Sequence, residues 1–420
     1  MTKQDFNEGL LGFLDASPTP FHATKNICGM LENAGFVRLY EEQRWSLAKG
    51  QKYFVTRNDS SVIAFTYPHA KNFTMIGAHT DSPNLKLKPN PIIKEQGMVK
   101  FGVEPYGGVL FNPWFDRDLS LAGRVSYLNE KNIIKEALID VQKPIAIIPS
   151  LAIHLDREAN SSKTINAQTD ITPIATCQED FDFNAFLKEQ IMACTHEEAK
   201  ELYANELSFY DTQKASYVGI HDEFIASARL DNLLSCYVGL LSICSVESDV
   251  PMLFIASDHE EVGSESVAGA GGSFLENTLR RAYPDYEEYM QLVRSSLLIS
   301  ADNAHAVHPN FAAKHDANHA PRINKGVVIK VNANQRYASN SKTISRFMNV
   351  ASAIGEPLQQ FVTRSDMGCG STIGPITASR MGIDTLDIGL PTYAMHSIRE
   401  LCGSEDAYSL YKILVGMARG

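Results

Sequence analysis

Apolar residues at helical spacing alternate with short apolar runs in the first ninety residues of the chain. This pattern indicates α/β structure, because the first kind of spacing is typical of helices and the second of buried strands. The predicted elements are helices over 6–14 and 24–34 and strands over 53–57, 61–67 and 72–79. The last strand is apolar until it reaches His79, so His79 is expected at a strand end.

A second stretch with the same alternation begins near residue 219 and continues to the C-terminal helix. Strands that alternate with helices favour a mostly parallel sheet covered by helices. The predicted elements are helices over 232–245, 264–282, 341–355, 371–382 and 405–419, and strands over 251–258, 295–302, 325–333, 358–364 and 385–391.

The residues between these stretches follow a different pattern. Glycine and proline are dense, the strand-like runs are short, and an acidic part over 179–206 is predicted to be helical. We therefore expect two domains: a discontinuous α/β domain over 1–90 and 219–420, and an inserted β-rich domain over 91–218.

Composition and charge narrow the possible functions. The chain has 420 residues, of which 44% are hydrophobic, so it can bury a large core without disulfides. Its formal charge of −11 argues against binding to nucleic acid or to an anionic membrane surface. Seven scattered cysteines without a C-x-x-C pair favour reduced thiols, and no secretory signal or membrane-length apolar run is evident. We expect a cytoplasmic protein.

Carboxylates and imidazoles collect where the predicted strands end. Ligands of open α/β sheets bind beyond the carboxyl ends of strands. So many carboxylates repel one another unless cations lie among them, and mixed His, Asp and Glu ligands suit Zn²⁺ or a similar divalent ion. The residues concerned are His79, Asp81, Asp231, Asp258, His259, Glu260, Glu261, Asp302, His305, His308 and His396.

Two short motifs suggest how such a site divides its work. Adjacent residues in a turn point in different directions, so one carboxylate of Glu260–Glu261 can bind metal while the other accepts a proton. In His79-x-Asp81 the carboxylate can orient a metal-bound imidazole, lie near a bridging position between two ions, or cap a loop.

Seven segments carry a resemblance to a known family: GAHTDSPNLKLKP (77–89), ARLDNLLSC (228–236), SDHEEVGSES (257–266), SADNAHAVHPN (300–310), IKVNANQRYAS (329–339), GCGSTIGPI (368–376) and AMHSIRE (394–400). In these segments, which follow the family's order along the chain, the protein resembles the aspartyl aminopeptidases of the M18 metallopeptidase family. The resemblance implies a zinc-peptidase fold with an inserted dimerisation domain, and hydrolysis of the N-terminal residue, preferentially Asp or Glu, from peptides with a free N-terminus.

The resemblance further implies two Zn²⁺ ions per subunit, with Mn²⁺ or Co²⁺ able to replace zinc in one site. One ion would be held by His79 and Asp302 and the other by Glu261 and His396. Asp231 would bridge the two ions.

The remaining roles also follow from the resemblance. Glu260 would be the general base, and Asp81 would orient the metal-bound imidazole. Lys330 would face an acidic substrate side chain, with Tyr337 nearby as a hydroxyl donor. His154 would reach a neighbouring subunit's active site, within a tetrahedral dodecamer built from dimers.

Four other functions stay open at this stage. The same chemistry can serve neutral, leucine-type N-terminal residues. The same ligands can serve a two-metal deacylase or carboxypeptidase, and the fold can serve a non-catalytic assembly protein. The remote alternative is a nucleotide-binding oxidoreductase, because Gly368, Gly370 and Gly374 open a predicted helix and Asp387 lies on the next strand. Their spacing, G-x-G-x-x-x-G, departs from the dinucleotide fingerprint.

Overall fold

The computed structural model describes residues 1–419. Its helices are α1 (Lys3–Asp15), α2 (Pro20–Asn33), α3 (Phe183–Thr195), α4 (Leu230–Cys244), α5 (Phe274–Ala282), α6 (Tyr286–Ser295), α7 (Ser341–Ala353), α8 (Ile373–Met381) and α9 (Asp406–Arg419). Its strands are β1 (Val37–Leu39), β2 (Gln51–Arg57), β3 (Ser61–Tyr67), β4 (Thr74–His79), β5 (Asn84–Glu95), β6 (Met98–Tyr106), β7 (Leu119–Asn129), β8 (Ile134–Asp140), β9 (Ile174–Thr176), β10 (Ala199–Asp211), β11 (Ser216–Val218), β12 (Phe224–Ser227), β13 (Met252–Ser257), β14 (Leu297–Ala301), β15 (Ala304–His305), β16 (Val327–Lys330), β17 (Leu358–Phe361), β18 (Asp384–Gly389), β19 (Pro391–Tyr393) and β20 (Glu400–Gly403).

The first of two compact units comprises, among the described residues, 1–81, 215–395 and 400–419. Within residues 1–419, its main sheet has nine strands in the order β1-β2-β3-β13-β4-β14-β18-β16-β17. Most neighbouring strands are parallel, including the central run β13-β4-β14-β18. This confirms the predicted α/β class with a mostly parallel sheet.

Helices cover both faces of this sheet. The largest hydrophobic cluster joins one face to residues of α1, α2, α4, α7 and α9, and another cluster joins the opposite face to α5 and α6. Strands β13 and β14 are buried along their whole length, as strands covered on both faces require. A smaller sheet of the same unit has the order β11-β12-β20-β19-β15.

The second unit comprises residues 82–214 and 396–399. Its six-stranded sheet has the order β8-β7-β10-β5-β6-β9 and its paired strands are antiparallel. Strand β5 belongs to this unit because it pairs with β6 and β10. Helix α3 packs against the sheet and buries Phe183, Leu187 and Ile191 in the unit's own core. Among residues 1–419, no helix is both long and apolar enough to cross a bilayer.

Three local predictions were wrong. Residues 264–273 are not helical, and α5 begins only at Phe274. A Cβ on Gly269 would lie 2.2 Å from the Ser264 carbonyl oxygen, so this glycine permits a tight turn in place of a helix. The second half of the acidic stretch is strand β10, because its pairing with β7 along its length overrides local helical propensity. Helix α6 had not been predicted.

Candidate metal centre

Three adjacent parallel strands bring chemistry-bearing residues to one edge of the main sheet. Strand β4 ends at His79, which pairs in register with Ser257 at the end of β13. Strand β14 runs parallel to β4 on its other side and is followed directly by Asp302. Because these carboxyl ends meet, the turn after β13 and the residue after β14 lie on either side of His79.

Asp231 reaches the same place from the start of α4. Its backbone leaves helical geometry (φ −84°, ψ 103°) although it lies in the first turn of that helix. The Asp231 N–H donates to Glu400 Oε2 at 2.9 Å, and the neighbouring Asn232 amide donates to the Ala301 carbonyl at 2.9 Å. These two bonds fix the start of α4 against β20 and β14, so the Asp231 carboxylate is held in place from both sides.

The buried imidazole of His79 lies at the middle of the cluster. Its Nε2 is 3.4 Å from Asp231 Oδ1, 3.6 Å from Asp302 Oδ1 and 4.0 Å from Glu260 Oε2. Ligand atoms of His79, Asp231 and Asp302 lie within 4.8 Å of one another, as do those of His79, Glu260 and Glu261. The structure thus brings together five of the residues that the sequence indicates.

Asp81 contacts both His79 and the turn that carries Glu260 and Glu261. It is completely buried, and its Oδ1 lies 3.3 Å from His79 Nδ1. The same carboxylate accepts the N–H of Glu260 at Oδ1 and the N–H of Glu261 at Oδ2, both at 3.1 Å. One side chain therefore fixes both the imidazole and the turn that carries the two glutamates.

Replacing Asp81 by asparagine is expected to weaken metal binding. An amide has one acceptor oxygen, so an N–H of Glu260 or Glu261 would then face an NH₂ group. Loss of such a supporting contact lowers metal affinity by about 10- to 100-fold. Zinc titration against a competing chelator measures this. Asp249→Asn, at an exposed position, serves as the control, and equal affinities in the two variants would contradict the expectation.

Burial and like charges act together on the two glutamates. Burial, opposed by His79 and reinforced by the carboxylates of Asp302, Asp231 and Asp81, raises the pKa of Glu260 to about 7. Burial also holds the pKa of Glu261 well above its ordinary value, again with support from Asp231. The cationic groups of the protein therefore do not fully compensate the negative charge of the carboxylates in this cluster.

Two cations partly balance the cluster. Burial tends to lower the pKa of His79, but hydrogen bonds with Asp231, Asp302 and Asp81 hold it well above its usual value. Burial tends to raise the pKa of Asp302, but Lys330 and His79 hold it far below its usual range. The Lys330 Nζ lies 3.3 Å from Asp302 Oδ2 and 3.2 Å from the Asn303 carbonyl oxygen.

This donor set suits a divalent cation. Carboxylate oxygens and an imidazole nitrogen are the ligands that Zn²⁺ and similar ions take, and the donor atoms lie close enough to share an ion. A bound cation would also relieve the repulsion that raises the pKa of Glu260 and of Glu261.

The structure also describes Tyr337, His154 and His396. Tyr337 is buried, with its ring centre 5.1 Å from the Lys330 Nζ. His154 is exposed in the second unit. His396 also belongs to the second unit, where its Nδ1 is 3.0 Å from the Gly108 carbonyl oxygen. Sequence reasoning missed Glu400, although it ends the AMHSIRE segment.

Sequence comparison relates almost the whole chain to a family of known proteins. The family model described as Aminopeptidase I zinc metalloprotease (M18) matches residues 13–417. A "Probable M18 family aminopeptidase 2" of Pseudomonas fluorescens (strain Pf0-1) is 54% identical over 419 residues, covering 98% of this chain and 97% of the relative. The corresponding protein of Pseudomonas putida (strain GB-1) is also 54% identical, covering 98% of each chain.

Solved structures show the same likeness. In the "Cryo-EM structure of the Ape4 and Nbr1 complex", a chain that is 38% identical superposes with a TM-score of 0.94, covering 99% of this chain and 85% of that one. In the "Structure of S. cerevesiae mApe1 dodecamer", a chain that is 27% identical superposes with a TM-score of 0.85, covering 99% and 96%.

Fold and likeness together define a metallo-aminopeptidase, a hydrolase that removes residues from peptide N-termini. The chain belongs to the M18 family of zinc aminopeptidases.

Proposed function

We propose that the protein uses two zinc ions to hydrolyse the N-terminal residue of peptides, with a preference for Asp and Glu. The observation that carries this proposal is the buried carboxylate and imidazole cluster around His79, with Glu260 at its edge. In this proposal His79 and Asp302 would hold one ion, Glu261 and His396 would hold the other, and Asp231 would be shared by the two. Mn²⁺ or Co²⁺ can occupy one of these sites in place of zinc.

Bound zinc would supply a Lewis acid that polarises the scissile carbonyl and makes water a better nucleophile at neutral pH. The chain's own part is proton transfer and orientation. Glu260 takes the proton of the attacking water and returns it to the leaving amine. Burial of Glu260 raises the pKa of its carboxyl above the ordinary value, which favours proton uptake. Asp81 keeps His79 in the orientation that binds metal, and the carboxylates attract the free α-amino group of the substrate.

Lys330 supports the preference for acidic residues. An acidic protein repels an acidic substrate at long range, so a local cation is needed where the substrate side chain binds. The buried ammonium of Lys330 donates one hydrogen bond to Asp302 and one to the Asn303 carbonyl oxygen. An ammonium group has three N–H donors, so one remains. We assign the third donor to the substrate carboxylate, with the Tyr337 hydroxyl as a second donor.

Replacing Lys330 by alanine is expected to remove most activity on Asp- and Glu-anilides, by about 100-fold in kcat/KM, since a charged hydrogen bond contributes about 1.5–3 kcal/mol. The loss on Leu-anilide should be smaller, because it reflects only the altered surroundings of Asp302. A panel of aminoacyl anilides measures both. Lys325→Ala, at an exposed position before the same strand, is the control. Unchanged discrimination between Asp- and Leu-anilides would contradict acid recognition by Lys330.

Assembly completes the proposal. The solved mApe1 structure is described as a dodecamer, and its likeness to this protein covers 99% of this chain. We propose that this chain also forms a homo-oligomer, a tetrahedral dodecamer built from dimers through the inserted domain. His154 is exposed and could then donate a hydrogen bond to the substrate carbonyl in a neighbouring subunit's site. We place the assembly in the cytoplasm.

A further inference from the structure

Asp387 and the glycine-rich segment before α8 have no part in the proposed chemistry so far. Asp387 lies within β18, and its side chain is completely buried. A buried carboxylate is costly unless hydrogen bonds or cations compensate it. Its contacts therefore indicate what the residue does.

The Asp387 carboxylate joins two separate loops. The Thr372 hydroxyl donates to Oδ1 at 2.6 Å, and the Ala338 N–H donates to Oδ2 at 2.6 Å. The backbone N–H of Asp387 also donates to the Ser339 hydroxyl at 2.9 Å. Residues 331–340 lead from β16 to α7, and residues 362–372 lead from β17 to α8. One side chain thus joins Ala338 and Thr372, which lie 34 positions apart in the sequence.

The approach of α8 to this carboxylate depends on a glycine. A Cβ on Gly374 would lie 2.3 Å from Asp387 Oδ1, so no larger residue fits without displacing the carboxylate. Gly374 is in the first turn of α8, where the helix dipole favours a negative charge. The glycine spacing that resembled a dinucleotide motif is therefore explained at this position by contact with Asp387.

The two loops carry residues beside Lys330. Tyr337 immediately precedes Ala338, and its ring lies over the Lys330 ammonium. Cys369 precedes Thr372 by three positions and packs on the small cluster of Tyr337 and Phe361. A shift of either loop would move the Tyr337 ring relative to Lys330.

We propose that Asp387 is a positioning residue that fixes both loops and thereby shapes the pocket for the substrate's N-terminal side chain. This inference rests on the proposed function, because it takes Lys330 and Tyr337 as the residues that bind that side chain. It goes further by assigning selectivity to a residue that touches neither substrate nor metal.

The test compares Asp387→Ala with Asp387→Asn. Alanine leaves the donors of Ala338 and Thr372 without their acceptor, so KM for Asp-anilide should rise about tenfold, with a smaller change in kcat and unchanged zinc content. Asparagine can accept from Ala338 N–H and donate to the Thr372 hydroxyl, so it should recover most of the selectivity. Recovery without the negative charge would identify geometry, and not charge, as the cause.

A milder variant covers the case in which Asp387→Ala fails to fold. Thr372→Val keeps nearly the same shape but removes the hydroxyl that donates to Asp387 and accepts the Gly374 N–H at the start of α8. Ser379→Ala removes an exposed hydroxyl from the same helix as a control. Alkylation of Cys369, followed by peptide mass spectrometry, reports on the loop independently of catalysis. It should be several-fold faster in Thr372→Val and unchanged in Ser379→Ala.

The possible outcomes distinguish failure of this inference from failure of the proposed function. If the wild-type enzyme discriminates between Asp- and Leu-anilides, but Asp387→Ala and Thr372→Val discriminate equally well, this inference is overturned and the proposed function stands. A wild-type enzyme without preference overturns the acid selectivity and this inference with it. Reduced selectivity with faster Cys369 alkylation and normal zinc content supports both.

Discussion

Replacing Glu260 by glutamine is expected to lower kcat by about 10²- to 10⁴-fold while the protein stays folded and metal-loaded, since general base catalysis contributes a factor of this size. Glutamine has nearly the shape of glutamate but does not accept the proton of the attacking water. The Glu260 N–H bond to Asp81 involves only the backbone and should persist. Steady-state kinetics on Asp-anilide measure the loss, and metal analysis compares the zinc content of the variant with that of the wild type.

Glu265→Gln is the matched control, because Glu265 is an exposed glutamate in the same loop. It should retain wild-type kcat. An active Glu260→Gln enzyme with full zinc content would assign the proton transfer to another residue. A variant that lost both activity and zinc would instead place Glu260 among the ligands.

Removal of metal is expected to abolish activity and to lower thermal stability, with both restored by Zn²⁺. Without an ion, Glu260 and Glu261 are buried beside other carboxylates, and burial together with this repulsion raises the pKa of both. A ligand that binds only the folded state adds about 2.7 kcal/mol to the free energy of unfolding at 100 times its dissociation constant. The melting temperature of chelated protein should therefore rise with added Zn²⁺.

A variant of Asp231, the residue proposed to be shared by two ions, tests whether this response comes from the cluster. Asp231→Asn should show a much smaller rise in melting temperature on zinc addition, whereas Asp249→Asn should respond like the wild type. Hydrolysis that survives complete chelation would refute a metal-dependent mechanism. If Asp231→Asn showed the same rise in melting temperature as the wild type, the stabilising ion would have to bind in another part of the chain.

Much of the site could be predicted from sequence because parallel strands end at one edge of a sheet. The apolar runs that end at His79, before Asp258 and before Asp302 belong to β4, β13 and β14, and these three strands are neighbours. Once the order of the strands is known, the position of a residue at the end of a strand can therefore be predicted without further long-range information. The resemblance to the M18 family supplied the roles, which local pattern does not encode.

The parts that sequence did not reveal depend on contacts between distant segments. Glu400 supports Asp231 through a bond between residues 169 positions apart, which no local spacing signals. Strand β10 was mistaken for helix because its partner β7 lies far away in sequence. The turn at 264–273 escaped prediction because close approach of Gly269 to Ser264 is visible only in three dimensions.

The position of β4 between β13 and β14 has a consequence for synthesis of the protein. His79 and Asp81 leave the ribosome more than two hundred residues before Asp302. At about 5–20 residues per second, this interval lasts roughly ten to forty seconds. For most of that time β4 has neither of its neighbours, so the nascent chain carries an apolar strand that ends at His79, a single residue of the metal cluster. Zinc can be captured by the full donor set only after this wait, which makes loading of the enzyme a late event in its production.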